Sequence, residues 1–212
     1  MAQLKTKNSK LKIAPFGVII LGAGASSRMG RPKLLLPWRD TTVVGHIVSQ
    51  WRELGAVQIA VVCRPGDWEL AAELDRINFS ARDRIKNPQP EHGMFSSILC
   101  AATWTGWLAE LAAWAIVLGD QPHLRPDTLR ALLTFQREHP EAICQPVYAE
   151  HGRHPVLLPR RAFAELKTTK AETLKMFLKM TSCPLARCRI KDSALSLDMD
   201  TPADYIRLQD SN

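Results

Sequence analysis

The segment from Leu21 to Lys33 reads LGAGASSRMGRPK, an ordered set of glycines, serines and cations. Gly22 and Gly24 let a backbone turn closely around an anion, and Ser26 and the loop amides can donate to phosphate oxygens. Arg28 and Lys33 add fixed positive charge, unless they are merely solvated loop residues. A dinucleotide-binding loop is excluded because Ser27 stands where its third glycine would be, and a P-loop because no G-K-[ST] follows. Polar groups recur in HGMFSSI (92–98), VLGDQP (117–122), GRHPVLL (152–158) and DMDTPADY (198–205).

The elements between these segments are legible from periodicity. FGVIIL, from Phe16, reads as a fully apolar strand running straight into the glycine loop. Val43, Val44, Ile47, Val48, Trp51 and Leu54 form a helical stripe ended by Gly55. IAVVC, from Ile59, is a second strand, residues 67–75 a helix and 84–87 a short strand. A helix is expected from Met94 to about Ala109, then the strand AWAIVL, then a helix opened by Pro126 and Asp127 and ending near His139. After a strand at 143–147, HGRHP reads as a turn and VLL as a short strand, followed by mixed helices and strands. Alternation of this kind predicts an α/β fold: a single-domain, Rossmann-like three-layer sandwich, mostly parallel, with helices on both faces and ligands at the carboxyl ends of the strands. The expected division is a basic N-terminal tail, 1–14, and one domain, 15–210.

Composition agrees with a globular chain: of 212 residues 46% are hydrophobic and 23% charged, which excludes disordered, collagen-like and disulfide-scaffold classes. The formal charge of +7 suits an anionic partner without choosing among nucleotide, phosphate ester, nucleic acid and membrane. Five cysteines with no C-x-x-C spacing argue against a disulfide framework or zinc site and for a reducing cytoplasm. The apolar run 98–118 is interrupted by Gly106 and is read as helix plus strand, not a membrane span. The six tryptophans lie mostly in apolar patterns and are assigned to packing rather than base stacking.

On LGAGASSRMGRPK and the four later segments, in order, the chain resembles the nucleotidyltransferase family that activates molybdopterin, over residues 17–208. The resemblance implies a cytidylyl or guanylyl transfer to a pterin phosphate with release of pyrophosphate, and it implies Mg²⁺. Leu21, Gly22, Ala23, Gly24, Ser26, Arg28, Lys33 and Gln121 then bind nucleotide, with Lys33, Arg28 and Asp120 catalytic. Asp120, at the end of a buried strand, suits Mg²⁺, and a second carboxylate comes from Asp200 or Asp198, the family pattern favouring Asp200. Both carboxylates also read as helix N-caps before Thr201-Pro202. Gly93, Met94, Ser96, Ser97, Arg153 and His154 are assigned to the acceptor, against readings of Ser96 as a helix cap and His154 as structural. His46 and His123 receive no role.

Ala23 and GDQP resemble the cytidine-using members and favour CTP. Gly22, where the family usually has alanine, is expected to loosen the base pocket. The expected partners are thus CTP or another NTP, a molybdopterin-type phosphorylated acceptor and a client molybdoenzyme, with no membrane. Competing readings are transfer to a sugar or polyol phosphate, a non-catalytic delivery protein, and nucleic-acid binding, which would weaken steeply with salt.

Overall fold

The computed structural model describes residues 14–24 and 29–210; the lysine-rich tail, Ser26 and Arg28 lie outside the described residues. The chain runs β1 (Phe16–Leu21), a hairpin of β2 (Pro37–Trp38) and β3 (Thr41–Thr42), α1 (Val43–Glu53), β4 (Gln58–Cys63), α2 (Trp68–Arg76) and β5 (Arg84–Lys86). It continues through α3 (Met94–Thr103), β6 (Ala113–Leu118), α4 (Pro126–Glu138), β7 (Ile143–Tyr148), β8 (His151–Gly152) and β9 (Val156–Pro159). Last come α5 (Arg160–Glu165), α6 (Leu174–Met180), β10 (Leu185–Arg189) and α7 (Pro202–Asp210).

The main sheet has the order β10-β7-β9-β6-β1-β4-β5, with β8 beside β7. Its centre is parallel: β1 pairs with β4 from Gly17↔Gln58 to Leu21↔Val62 and with β6 from Phe16↔Ala113 to Leu21↔Leu118. Each central strand is apolar along its length because both faces are covered. Val18 and Ile20 face a core shared with α1, α2, α4 and α7, while Ile19 faces the core of α3, α5 and α6. This is the expected three-layer α/β sandwich.

Three details depart from the periodicity. Helix α3 stops at Thr103, not near Ala109, because Trp104 turns extended (φ −66°, ψ 136°). Trp104 and Trp107 then pack edge to face, 5.0 Å between centroids, so the apolar run beyond the helix is an irregular packed segment. HGRHP is not the turn: Ala149 and Glu150, both at positive φ (48° and 62°), make it, as two-residue hairpins require. HGRHP belongs to the returning arm, whose register slips between Val147↔Gly152 and Cys144↔Leu157, leaving a bulge at 153–155. That arm makes β9 antiparallel to β6 and β7, since so short a connection cannot cross over. Among the described residues no helix is long and apolar enough to cross a membrane. Trp38, Trp51 and Trp114 are buried as expected, whereas Trp68 is 81% exposed.

Candidate active site

The carboxyl ends of β1 and β6 lie side by side, and the loops leaving them form one wall of a cavity of about 400 Å³. Leu21, Gly22, Ala23 and Gly24 come from the first loop, Gly119 and Asp120 from the second, and Gly93, Met94 and Ser97 from the start of α3 opposite. Leu34 sits where the two strand-end loops meet. A Cβ on Gly22 would lie 2.9 Å from both Leu34 Cδ1 and the Val62 carbonyl oxygen; one on Gly119 would lie 2.8 Å from the Leu21 carbonyl oxygen. The extra glycine at 22 therefore does not loosen this wall: it is what lets Leu34 and β4 close against it.

Lys33, one residue before Leu34, points its ammonium between two carboxylates. Its Nζ is 3.3 Å from Asp120 Oδ2 and 2.7 Å from Asp200 Oδ1, although the lysine and Asp200 are 167 residues apart. All three side chains are largely buried, at 14%, 27% and 28% exposure. Burial raises the Asp120 carboxyl above its ordinary value; Lys33 pulls it down, and Asp198 and Asp200 push it further up. Three acidic side chains share this corner, so the site favours added positive charge.

A strap of residues returns Asp200 to the cleft. Asp192, 8% exposed, accepts from the Ala194 amide at 3.1 Å and from the Thr128 hydroxyl of α4. His123 Nε2 lies 3.0 Å from the Ala194 carbonyl oxygen, Gln121 Nε2 donates to Asp198 Oδ1 at 3.1 Å, and the Met199 amide donates to the Asp120 carbonyl at 3.3 Å. Thr201 and Asp204 then make a capping box, the Asp204 amide donating to Thr201 Oγ1 at 3.2 Å and the Thr201 amide to Asp204 Oδ2 at 3.0 Å. Neither Asp198 nor Asp200 caps this helix; Asp198 is held by Gln121 and Asp200 by Lys33. The Tyr205 hydroxyl of α7 donates to the Pro37 carbonyl at 2.5 Å, tying the strap to the segment that carries Lys33.

The opposite wall is set by Asn87, 1% exposed. Its amide donates to Ser96 Oγ at 2.8 Å and Ser97 Oγ at 3.0 Å, and its Oδ1 accepts from the Gln89 amide at 2.9 Å. Gly93, at φ 84° and ψ −176°, opens α3 in a region essentially closed to other residues. Gly93 is the helix cap and Ser96 is not; the Ser96 hydroxyl donates back to the Gly93 carbonyl at 2.8 Å.

Several assigned residues stand elsewhere. Gln121 is 5% exposed and absent from the cavity lining, its amide used on the strap, so its role here is to position Asp198. Arg153 and His154 sit on the bulge of the β7 to β9 arm, away from Lys33's cavity. His154 is half-buried, with Nδ1 3.4 Å from the Ile116 carbonyl oxygen, and burial lowers its pKa. Asn87, Asp192 and His123 carry the architecture of the site without a motif of their own; Asn87-Pro88 before a glycine-opened helix was the one signal available.

As for a metal, Asp120 and Asp200 are hard oxygen donors already converging on one cation, the Lys33 ammonium. Among the described residues no group of three or more His, Cys, Asp or Glu forms a metal-ligand cluster. Two carboxylates, with substrate phosphates and water completing the shell, is the donor set Mg²⁺ or Mn²⁺ takes at phosphoryl sites.

Residues 18–187 match the model of the MobA-like NTP transferase domain. The chain is 23% identical over 189 residues to the molybdenum cofactor cytidylyltransferase of Escherichia coli K12, spanning 89% of this chain and 92% of that one. Among solved structures it is similar to Rv0371c of Mycobacterium tuberculosis H37Rv, at TM-score 0.72 and 25% identity over 93% of this chain and 99% of that one. A manganese complex of Rv0371C superposes at TM-score 0.67 and 24% identity, over 93% of this chain and 100% of that one. A glycine loop at a strand end, a lysine held between Asp120 from mid-chain and Asp200 from the C-terminal part of the domain, and a family match over four-fifths of the length agree: this chain belongs to the MobA-like NTP transferases, a family of nucleotidyltransferases.

Proposed function

We propose that this protein transfers the CMP group of CTP to the phosphate of molybdenum-bound molybdopterin, forming the cytosine dinucleotide and releasing pyrophosphate. The observation that carries the reading is Lys33 Nζ held 3.3 and 2.7 Å from Asp120 and Asp200 at the edge of a cavity floored by the loop after β1. Similarity to a cytidylyltransferase over 89% of the chain, together with Ala23 and Gly119-Asp120-Gln121-Pro122, supports the choice of base and acceptor.

In this reading the amides of Ala23 and Gly24 face the nucleotide phosphates, while the Gly22 amide is donated to the Val62 carbonyl at 2.9 Å and anchors the loop to β4. An oxygen of the acceptor phosphate attacks the α-phosphorus, the bond from that phosphorus to its bridging oxygen breaks, and the bridging oxygen leaves on pyrophosphate. No protein nucleophile is needed. Asp120 and Asp200 would hold Mg²⁺, which would supply charge neutralisation at the phosphates. Lys33 supplies a second cation at the same corner, and Leu34, wedged between the loops after β1 and β6, fixes its backbone. Gly93 and Ser97 on the facing wall present polar groups to the acceptor side.

The test is pyrophosphate release by purified protein with Mg²⁺ and each of CTP, GTP, ATP and UTP, with and without molybdenum-loaded molybdopterin. Release with CTP alone, and only with acceptor present, is the expected result. Release with a different nucleotide replaces the base assignment, and release with a sugar phosphate in place of the pterin replaces the acceptor.

A further inference from the structure

At the strand-end corner the Lys33 ammonium stands on the oxygens that a divalent ion would use. Its Nζ is 3.3 Å from Asp120 Oδ2 and 2.7 Å from Asp200 Oδ1, so it touches both candidate metal ligands at once. Mg²⁺ takes a carboxylate oxygen at about 2.1 Å, so an ion on Asp200 Oδ1 would lie within about 5 Å of the ammonium, the sum of the two contacts. Lys33, Asp120 and Asp200 are largely buried, and two positive charges that close repel strongly where little water screens them. Ammonium and metal therefore compete for the same carboxylates.

The fold fixes the carboxylates and leaves the ammonium a way out. The Asp120 carbonyl accepts from the Met199 amide, and Tyr205 ties the strap that carries Asp200 to the Pro37 carbonyl. Beneath Lys33 the backbone is also held, the Leu35 amide donating to the Pro32 carbonyl and the Leu36 amide to the Lys33 carbonyl, each at 3.2 Å. The ammonium hangs from that backbone on a flexible four-carbon stem. Lys33 also lines the cavity together with Gly22, Ala23 and Gly24, so rotation of the stem alone carries its charge from the carboxylates toward the loop after β1. Burial together with Asp198 and Asp200 disfavours the charge on Asp120, so the corner calls for a cation whether the metal or Lys33 supplies it.

We propose that Lys33 is a place-holding cation: it keeps the divalent ion off Asp120 and Asp200, and yields them when nucleotide phosphates take up its ammonium. The proposal deepens the reading above and rests on it for one step, the seating of phosphates over the loop after β1. Coupling follows. A ligand that draws the ammonium away opens the carboxylates to metal, and by reciprocity metal on the carboxylates frees the ammonium for phosphate. Without nucleotide the protein binds the ion weakly; when pyrophosphate leaves, the ammonium returns to the carboxylates and the ion is discharged. Lys33 thus sets the order of binding as well as the rate.

The test titrates Mn²⁺, another oxygen-seeking ion, into nucleotide-free wild type, Lys33→Met, Lys33→Gln and Asp200→Asn, with free Mn²⁺ read by electron paramagnetic resonance. Circular dichroism of the same preparations reports folding, and Lys33→Gln carries the comparison if Lys33→Met does not fold. Both lysine variants are expected to bind Mn²⁺ about tenfold more tightly than wild type, and Mn²⁺ should raise their Tm further. Asp200→Asn should lose about tenfold. A lysine that only braced the fold or only touched phosphates would leave Mn²⁺ affinity unchanged or lower it. Equal or weaker Mn²⁺ binding by the lysine variants would overturn the proposal, as would Asp200→Asn binding like wild type, which puts the ion elsewhere. In EDTA, CTP affinity should fall about tenfold in Lys33→Met; an unchanged value removes the hand-over to phosphate. Tighter Mn²⁺ binding by the variants, with no pyrophosphate released by wild type from CTP and molybdopterin, keeps the competition and removes the cytidylyl reaction instead.

Discussion

Lys33 is the residue on which the corner depends. Held between Asp120 and Asp200, it keeps two largely buried carboxylates tolerable in the absence of other cations, and in the proposed reaction it adds positive charge beside the nucleotide's phosphates. Replacing it with alanine is expected to lower kcat by a factor of about 10² to 10³, in steady-state pyrophosphate release, because one preorganised charge donor in such a site is worth ~2.7 to 4 kcal/mol. Gly93→Ala places a Cβ at φ 84°, in a conformation only glycine adopts readily. A loss of about 1–3 kcal/mol in urea unfolding is expected, with a raised KM since the same residue lines the cavity. Protonation of buried imidazoles gives a further residue-scale outcome. Burial lowers the pKa of His46, His123 and His154 below the ordinary 6.5. Above 6.5 folded and unfolded forms are both neutral; below it the unfolded chain takes up protons that the folded one resists, so stability falls with pH. Asp120, raised by burial, works in the opposite sense but is one group against three. Urea midpoints at about pH 7.5 and about pH 5.5 check this, and His154→Gln should flatten the difference.

At the scale of elements, the return strap between β10 and α7 governs whether Asp200 arrives. Its anchor is Asp192, bonded to Thr128 of α4 and to the Ala194 amide. Asp192→Ala leaves the buried Thr128 hydroxyl and the Ala194 amide unpaired, at a cost of about 1–3 kcal/mol by denaturant titration. It should also weaken divalent-metal affinity, measured calorimetrically, more than Gln209→Ala, which touches only α7 and Pro37. Periodicity made the strands and most helices legible, because a fully apolar strand and a 3.6-residue stripe each have one physical explanation. The strap was not legible: its ordering comes from pairs such as Thr128 with Asp192 and His123 with Ala194, 64 and 71 residues apart, which no local pattern encodes. The same holds for the bulge at 153–155, set by register against β7 and not by composition. Gln121 shows the limit at a motif, since GDQP marked the right loop while its glutamine turned out to brace Asp198.

The whole molecule is organised on β1, the strand whose alternate residues enter both cores. Ile19 and Ile20 are each fully buried on opposite faces. Ile19→Ala and Ile20→Ala are each expected to cost about 2–5 kcal/mol, and because one strand serves both layers, unfolding should remain a single transition by tryptophan fluorescence and by circular dichroism. The architecture was readable from sequence because alternating strand and helix permit few topologies. The antiparallel β9 arm was the exception, inserted by a tight turn whose residues, Ala149 and Glu150, lack the usual turn chemistry.

The span between Lys33 and Asp200 has a consequence for synthesis. During translation β1, the glycine loop and Lys33 emerge first and Asp120 follows, but the acidic partner on the strap leaves the ribosome only with the last few residues of the domain. A chain cut short before residue 198 keeps the residues of the main sheet and the glycine loop and lacks one of its two candidate metal ligands. If the proposed reaction is the right one, such a fragment is expected to release no pyrophosphate even where it binds nucleotide, because the carboxylate that closes the corner from the far side of the fold is missing.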